Sequence, residues 1–175
     1  MSAERVNGYA EAMVAVANAE GIGPQVEDEL FTVARAIERS EELQMTLSDQ
    51  AIPAARRQQI VEDLLAGGAS PVTSALVSMV VATNRGSELP SILDAAVAQG
   101  ARSRGQSVAE VRSAVPLTDE QQRRLAEALS RATGTNLTIK TVVDESVLGG
   151  IVTTIDDEVI DGSVRHRLTK LREAF

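Results

Sequence analysis

The sequence predicts an α+β protein: an N-terminal six-helix bundle over residues 1–105, followed by a small α/β domain over residues 106–175. Two observations carry this. Apolar residues recur at three and four through the first part, the period of an amphipathic helix, and then switch to alternation at two, the period of a strand. Aromatics make up only 2% of the chain, so its core is built from Leu, Val, Ile, Met and Ala, small side chains that let helix axes approach closely.

The first helix carries Val6, Tyr9, Ala10, Met13, Val14 and Ala17 on one stripe. Gly21 and Gly23 end it, and Pro24 starts the second, where its missing N–H does no harm. Val26, Leu30, Val33 and Ile37 form the second stripe, and Leu43 and Leu47 mark a short third helix. Pro53 opens a fourth, with Ile60, Val61, Leu64 and Leu65 expected inward and Arg56, Arg57, Gln58 and Gln59 mostly outward. Gly67-Gly68 closes it. Ser70-Pro71 is a cap followed by a proline at the first helical position. The fifth helix, 72–83, is apolar nearly all round and is expected to be the most buried. Asn84-Arg85-Gly86 breaks the chain, and Ser87 is expected to cap a sixth helix with Leu89, Ile92, Leu93, Ala96 and Val97 inward.

Between Arg102 and Ser107 the composition turns small and polar, which places the domain boundary there. Residues 108–115 alternate as a strand. Thr118 and Gln121 form a capping-box pattern that opens a helix through Leu125 and Leu129, with Gly134 as its C-terminal cap. Leu137, Ile139, Thr141 and Val143 alternate as a second strand. A turn with Gly149-Gly150, a strand at 151–155, an acidic turn, a short strand and a helix after Ser163 complete the chain.

The charge balance is −8, with 25 acids against 17 bases, and it is more acidic before residue 105 than after. This opposes nucleic-acid binding, which needs clustered positive charge. Cysteine is absent, which excludes disulfides, thiolate metal sites and cysteine nucleophiles. The first 19 residues contain Glu4 and Glu11 and match neither a secretory signal nor a basic transit peptide. No stretch approaches the roughly 20 apolar residues that span a bilayer, so membrane association is expected only through partners.

None of the chemistry-bearing residues forms a convincing reaction centre. His166 is the only histidine, and Arg165 and Arg167 beside it would repel a metal. Asp156, Asp157, Glu158 and Asp161 are crowded but lack the twelve-residue spacing of a calcium loop, and read as a solvated turn. Neither glycine pair is followed by the Gly-Lys-Ser/Thr of a phosphate loop; Gly149-Gly150 reads as a close backbone approach or a bulge. Arg165, Arg167, Lys170 and Arg172 give the last helix a basic face, either solvated or docked against an acidic partner. No catalytic residue, metal or cofactor is expected.

Several motifs are colinear with those of one family. They are Tyr9-Ala10-Glu11-Ala12, the region from Ile52-Pro53 to Leu64, Asn84-Arg85-Gly86 with Leu89, and the run from Val111 to Thr118 that contains Ser113-Ala114 and Pro116-Leu117. Thr133-Gly134, Val143-Asp144, Leu148-Gly149-Gly150 and Asp161-Gly162-Ser163 with Leu168 follow in order. Together they resemble the delta subunit of F-type ATP synthases, whose mitochondrial relative is the oligomycin-sensitivity-conferring protein. Asp144, Gly149, Gly150, Asp161, Gly162 and Ser163 carry the most specific part of the resemblance. The chain departs from the family at Met13-Val14, where an aromatic is common, and at Thr153-Thr154, where a basic residue is common.

The resemblance implies a non-catalytic member of the peripheral stalk, the stator that keeps the catalytic head from turning during ATP synthesis. It implies that the N-terminal bundle binds N-terminal helices of the alpha subunits, and that the C-terminal domain binds the b-type stalk subunits. Tyr9, Met13, Val77, Val80 and Arg85 are the expected alpha-subunit contacts, in a groove framed by helices one and five. Arg165 and Arg167 are the expected b-subunit contacts. The implied location is the cytoplasmic side of a bacterial plasma membrane. Two rivals are a free-standing helical adaptor or RNA-binding protein, and a metal-assisted hydrolase built on Asp156, Asp157 and Asp161.

Overall fold

The computed structural model describes residues 3–155 and 158–162. The described residues form seven α-helices and one four-stranded sheet, in an α+β arrangement. The chain divides into two compact units, Met1–Gly100 and Ala101–Phe175, so the division falls after Gly100, inside the sixth helix. The change of period at 102–107 lies just beyond it.

The first unit holds α1 (Ala3–Ala19), α2 (Gly23–Arg39), α3 (Glu41–Ser48), α4 (Ala54–Leu65), α5 (Pro71–Ala82) and most of α6 (Leu89–Ser103). Local chemistry sets the joints. Gly21 takes a left-handed φ of 73°, which glycine adopts without steric cost, and Pro24 sits in the first turn of α2. Ser40 caps α3 through Leu43 N–H, and Ser70 caps α5 through Thr73 N–H, each at 3.2 Å. The break before α6 differs from expectation. Gly86–Glu88 forms a turn of 3-10 helix, so Ser87 lies inside that turn and caps nothing. Val26, Leu30, Leu76, Val81, Leu89 and Leu93 are among the buried side chains of this unit.

Arg57 was expected outward and is 1% exposed. Its Nε donates to Ile52 O at 3.1 Å, its Nη1 to Leu47 O at 3.2 Å, and its Nη2 to Asn84 Oδ1. One side chain thereby joins the end of α3, the α3–α4 connection and the end of α5. Asn84 holds the left-handed conformation at φ 59°, and Gly86 packs against the same segment: a Cβ there would lie 1.8 Å from Leu47 O. Periodicity misplaced Arg57 because a planar fork of donors can be buried when backbone carbonyls meet it. Leu64 is misplaced in the other direction and is 58% exposed. Helix α5 is buried along one broad face, but Ala75 and Met79 are exposed, so its apolar character exceeds its burial.

Glu29 fastens α2 to the start of α5. Its carboxylate accepts from Ser70 N–H at 2.9 Å, Ser70 Oγ at 2.8 Å, Thr73 Oγ1 at 2.5 Å and Gln25 Nε2 at 2.8 Å. Burial pushes its pKa up, but the bonds from Thr73, Gln25 and Ser70 outweigh this and lower it to about 2.

The second unit holds β1 (Ser107–Ser113), α7 (Asp119–Thr133), β2 (Leu137–Val143), β3 (Ile151–Ile155) and β4 (Glu158–Asp161). The strand order is β2-β1-β3-β4, with β1 parallel to β2 and antiparallel to β3. Helix α7 is the crossover that a parallel pair requires. Thr118 and Gln121 form the complete capping box, and Gly134 ends the helix at φ 71°. Ala109, Val111 and Ser113 are buried on one face of β1. In β2 the expected alternation fails: Lys140 and Val142 are buried, and Val143 is exposed. Strand β2 is an edge of the sheet, and Lys140 stands opposite Glu110 of β1 in the register. The helix expected after Ser163 lies outside the described residues.

Two outcomes follow. Arg57→Met leaves two carbonyls and an amide oxygen without their donor and is expected to lower the unfolding free energy by about 3 kcal/mol in urea titrations. Arg56→Met, on the exposed side, should change it by no more than about 0.5 kcal/mol; equal losses would contradict the buried role. For Glu29, the folded pKa of about 2 lies below the ordinary 4.5, so the unfolded chain binds more protons. Its contribution is complete above pH about 4.5 and disappears as pH falls through about 2. Thermal melts of the native chain and Glu29→Gln should therefore differ at neutral pH and converge toward pH 2.

Candidate partner-binding faces

The residues expected to meet an alpha-subunit helix separate into two groups. Met13, Val77 and Val80 are core side chains of the first unit, each essentially inaccessible. Tyr9 and Arg85 are half-buried and reach the surface. The Tyr9 hydroxyl donates to Thr83 Oγ1 at 3.1 Å, and Thr83 Oγ1 donates in turn to Val80 O at 2.9 Å. This bond ties α1 to the last turn of α5. Arg85 Nη1 lies 3.4 Å from Glu88 Oε1, and Arg5 Nη2 lies 4.0 Å from the same oxygen. Two guanidinium groups thus share one carboxylate beside the α5 terminus.

The stripe rule identified the inward faces of α1 and α5 and missed their outward apolar residues. Val16 on α1 is 44% exposed, and Met79 on α5 is 39% exposed. Nothing in the period marks either one, because an apolar residue off the main stripe reads as noise until burial is known.

In the second unit, the signature residues Asp144, Gly149 and Gly150 build the β2–β3 connection. Asp144 N–H donates to Ser113 O at 2.9 Å, and Asp144 Oδ1 accepts from Ser146 N–H at 2.9 Å, closing an Asx turn. Gly149 and Gly150 follow with φ of 73° and 76°, two successive left-handed residues that side chains strongly disfavour. Gly149 N–H donates to Val147 O at 2.8 Å. The pair therefore reverses the chain into β3.

Arg112, on β1, binds Glu110 Oε1 through Nε at 2.8 Å and approaches Asp144 Oδ2 at 3.5 Å. Glu110 and Arg112 share a face because strand side chains alternate. Bonds from Ser146, with smaller help from Arg112, hold the Asp144 carboxyl below the usual carboxylate range. Burial lowers the Arg112 pKa, and Glu110 and Asp144 more than restore it, so the guanidinium stays charged. This trio is a brace between β1 and the turn.

Asp161 ends β4 opposite Val152. Gly162 N–H donates to Ile151 O at 3.0 Å, and a Cβ on Gly162 would stand only 3.3 Å from that oxygen. Ser163, Arg165, Arg167 and the acids Asp156 and Asp157 lie outside the described residues. Among the described residues no group of His, Cys, Asp or Glu is arranged to hold a metal ion, and no helix is long and apolar enough to cross a membrane.

The model of the ATP synthase delta (OSCP) subunit family matches residues 6–175. The ATP synthase subunit delta of Nocardia farcinica is 42% identical over 165 residues, covering 93% of this chain and 60% of that protein. The ATP synthase subunit delta of Corynebacterium urealyticum is 39% identical over 164 residues, covering 94% of this chain and 60% of the relative. The chain thus spans about 60% of the length of these relatives. A chain in the cryo-EM structure of the Toxoplasma gondii mitochondrial ATP synthase hexamer shares the fold, with a TM-score of 0.60 at 23% identity over 97% of this chain and 96% of that one. With the match running through both units, this chain belongs to the ATP synthase delta (OSCP) subunit family.

Proposed function

We propose that the chain is a non-catalytic stator subunit of an F-type ATP synthase, a connector between the catalytic head and the peripheral stalk. The observation that carries this reading is the family match from residue 6 to residue 175, which covers both compact units. In this reading the first unit holds N-terminal helices of the alpha subunits and the second holds the b-type stalk helices. The chain reaches the membrane through those partners, on the cytoplasmic side. It transmits force and makes or breaks no covalent bond.

The division into two units supports such a role, since a connector needs two separate gripping surfaces. On the first unit, the alpha-subunit face is assigned to the outward side of α1 and α5, with Tyr9, Val16, Met79 and Arg85 as contacts. Met13, Val77 and Val80 support that face from beneath. On the second unit, Arg165 and Arg167 are assigned to the b-type helices by their basic character.

Affinity purification of the tagged chain from its source should bring down the alpha, beta and b-type chains together; their absence would defeat the stator reading. Met79→Asp, on the surface, should weaken binding of an alpha N-terminal peptide by about tenfold with the fold intact. Val80→Asp should unfold the first unit instead, because it buries an unpaired carboxylate. Unchanged peptide affinity for Met79→Asp would remove the α1–α5 face from the assignment. Replacing Arg165 and Arg167 with Glu should reduce recovery of the b-type chain while leaving alpha binding unaffected.

A further inference from the structure

Among the described residues, the sheet of the second unit ends in β2 on one side and β4 on the other. An edge strand presents backbone N–H and C=O groups to any strand that comes beside it. Strand β4 is poorly suited to such pairing, because it has four residues and carries Glu158 and Asp161 at its ends. Strand β2 is different. It runs for seven residues, Leu137–Val143, without proline or glycine. Apart from Lys140, every side chain in it is β-branched or leucine, the composition that favours strand pairing between chains.

The hydrogen bonds fix which backbone groups this edge offers. Ser107 N–H donates to Asn136 O, and Asp144 N–H donates to Ser113 O, each at 2.9 Å. The residues flanking β2 at both ends thus turn their backbone groups toward β1. The direction alternates along a parallel pair, so Thr138, Lys140 and Val142 also face β1, and Leu137, Ile139, Thr141 and Val143 face away. Leu137 N–H is already taken by Ser130 Oγ at 3.1 Å. Ile139 and Thr141 are the central groups of the outer edge.

An identical strand fits this edge about a two-fold axis. In the antiparallel register that opposes all seven residues, Ile139 meets Thr141 of the second copy, and Lys140, the midpoint, meets Lys140 of the second copy. That pair falls at a position without hydrogen bonds, where Cα atoms approach to about 4.5 Å and side chains are closest. Like charges directly opposite are destabilising. Lys140 is also only 7% exposed, so an added strand would leave two ammonium groups almost no water. Registers shifted by two residues separate the lysines, but leave Val142 and Val143, or Leu137 and Thr138, unpaired in each strand.

We infer that Lys140 keeps β2 from pairing with β2 of a second copy of this chain. The rest of the strand is built to pair, and the lysine occupies the one position where its charge faces itself.

The test is sedimentation velocity of the full chain over a range of concentrations. It compares the native protein, Lys140→Met, Lys140→Arg and the double variant Lys140→Met with Thr141→Pro. Methionine keeps an unbranched apolar stem and removes the charge. Proline at position 141 removes only an outward N–H and leaves the ladder to β1 in place. Lys140→Met should dimerise with a dissociation constant at least about tenfold lower than any self-association of the native chain. Lys140→Arg and the double variant should behave as the native chain does. Equal self-association of the native chain and Lys140→Met would overturn the proposal, as would a dimer of Lys140→Arg or one that survives Thr141→Pro. Species larger than a dimer would overturn it too, since two-fold pairing uses up the edge. Far-UV circular dichroism of Lys140→Met decides the remaining case: loss of the folded signal would show that the lysine holds the sheet together, and would equally defeat the proposal.

Discussion

A guanidinium removed from water holds three segments of the first unit together. Arg57 meets two backbone carbonyls and the Asn84 amide oxygen, and none of its partners is a carboxylate. A buried cation costs free energy unless its donors are met, so the chain around it has little freedom. The end of α3 must present Leu47 O, and the end of α5 must turn Asn84 into a left-handed conformation. Gly86 must then pass Leu47 with no side chain at all. The resulting knot sets where α6 begins, and α6 buries Leu89, Ile92, Leu93 and Ala96 completely.

Glu29 plays the matching part at the other end of α5. A carboxylate at a helix N-terminus receives the free amides and complements the dipole. Here it also receives two hydroxyls, which keeps the charge in place despite partial burial. Helix α5 is therefore fixed at both termini by polar groups from other helices. Its own sequence is nearly all apolar and could otherwise slide or rotate in the bundle. One of its sides lies beneath the proposed α1–α5 face, and Val77 lines a pocket together with residues of α2, α3 and α4.

The helices were legible because their signals are local. The Ser70-Pro71 cap, the Thr118–Gln121 capping box and the Gly134 cap each act within a few residues, and each appears where the pattern places it. What pattern reading missed depends on contacts between distant segments. Arg57 is bonded to Asn84, 27 positions away, and nothing within one turn of α4 announces that. Leu64 and Met79 are apolar at helical spacing and still exposed, because exposure depends on what packs opposite. The order of the signature motifs pointed to the family, whereas the composition of Asp144, Gly149 and Gly150 did not reveal that they form a turn braced by Arg112. The proposed partner contacts are harder still to read, because the same periodicity that marks a core residue marks a surface residue meant for a partner.

The central position of β1 has a consequence for how the protein is made. Both neighbours of this strand, β2 and β3, come later in the chain than β1 itself. The ribosome therefore releases β1 with two bare edges, and one of them stays uncovered until synthesis passes Ile155. The helical unit upstream has already been synthesised by then and can fold first as a separate unit. The interval before the sheet closes is when a nascent chain of this design is most exposed to misassembly and has most need of a chaperone.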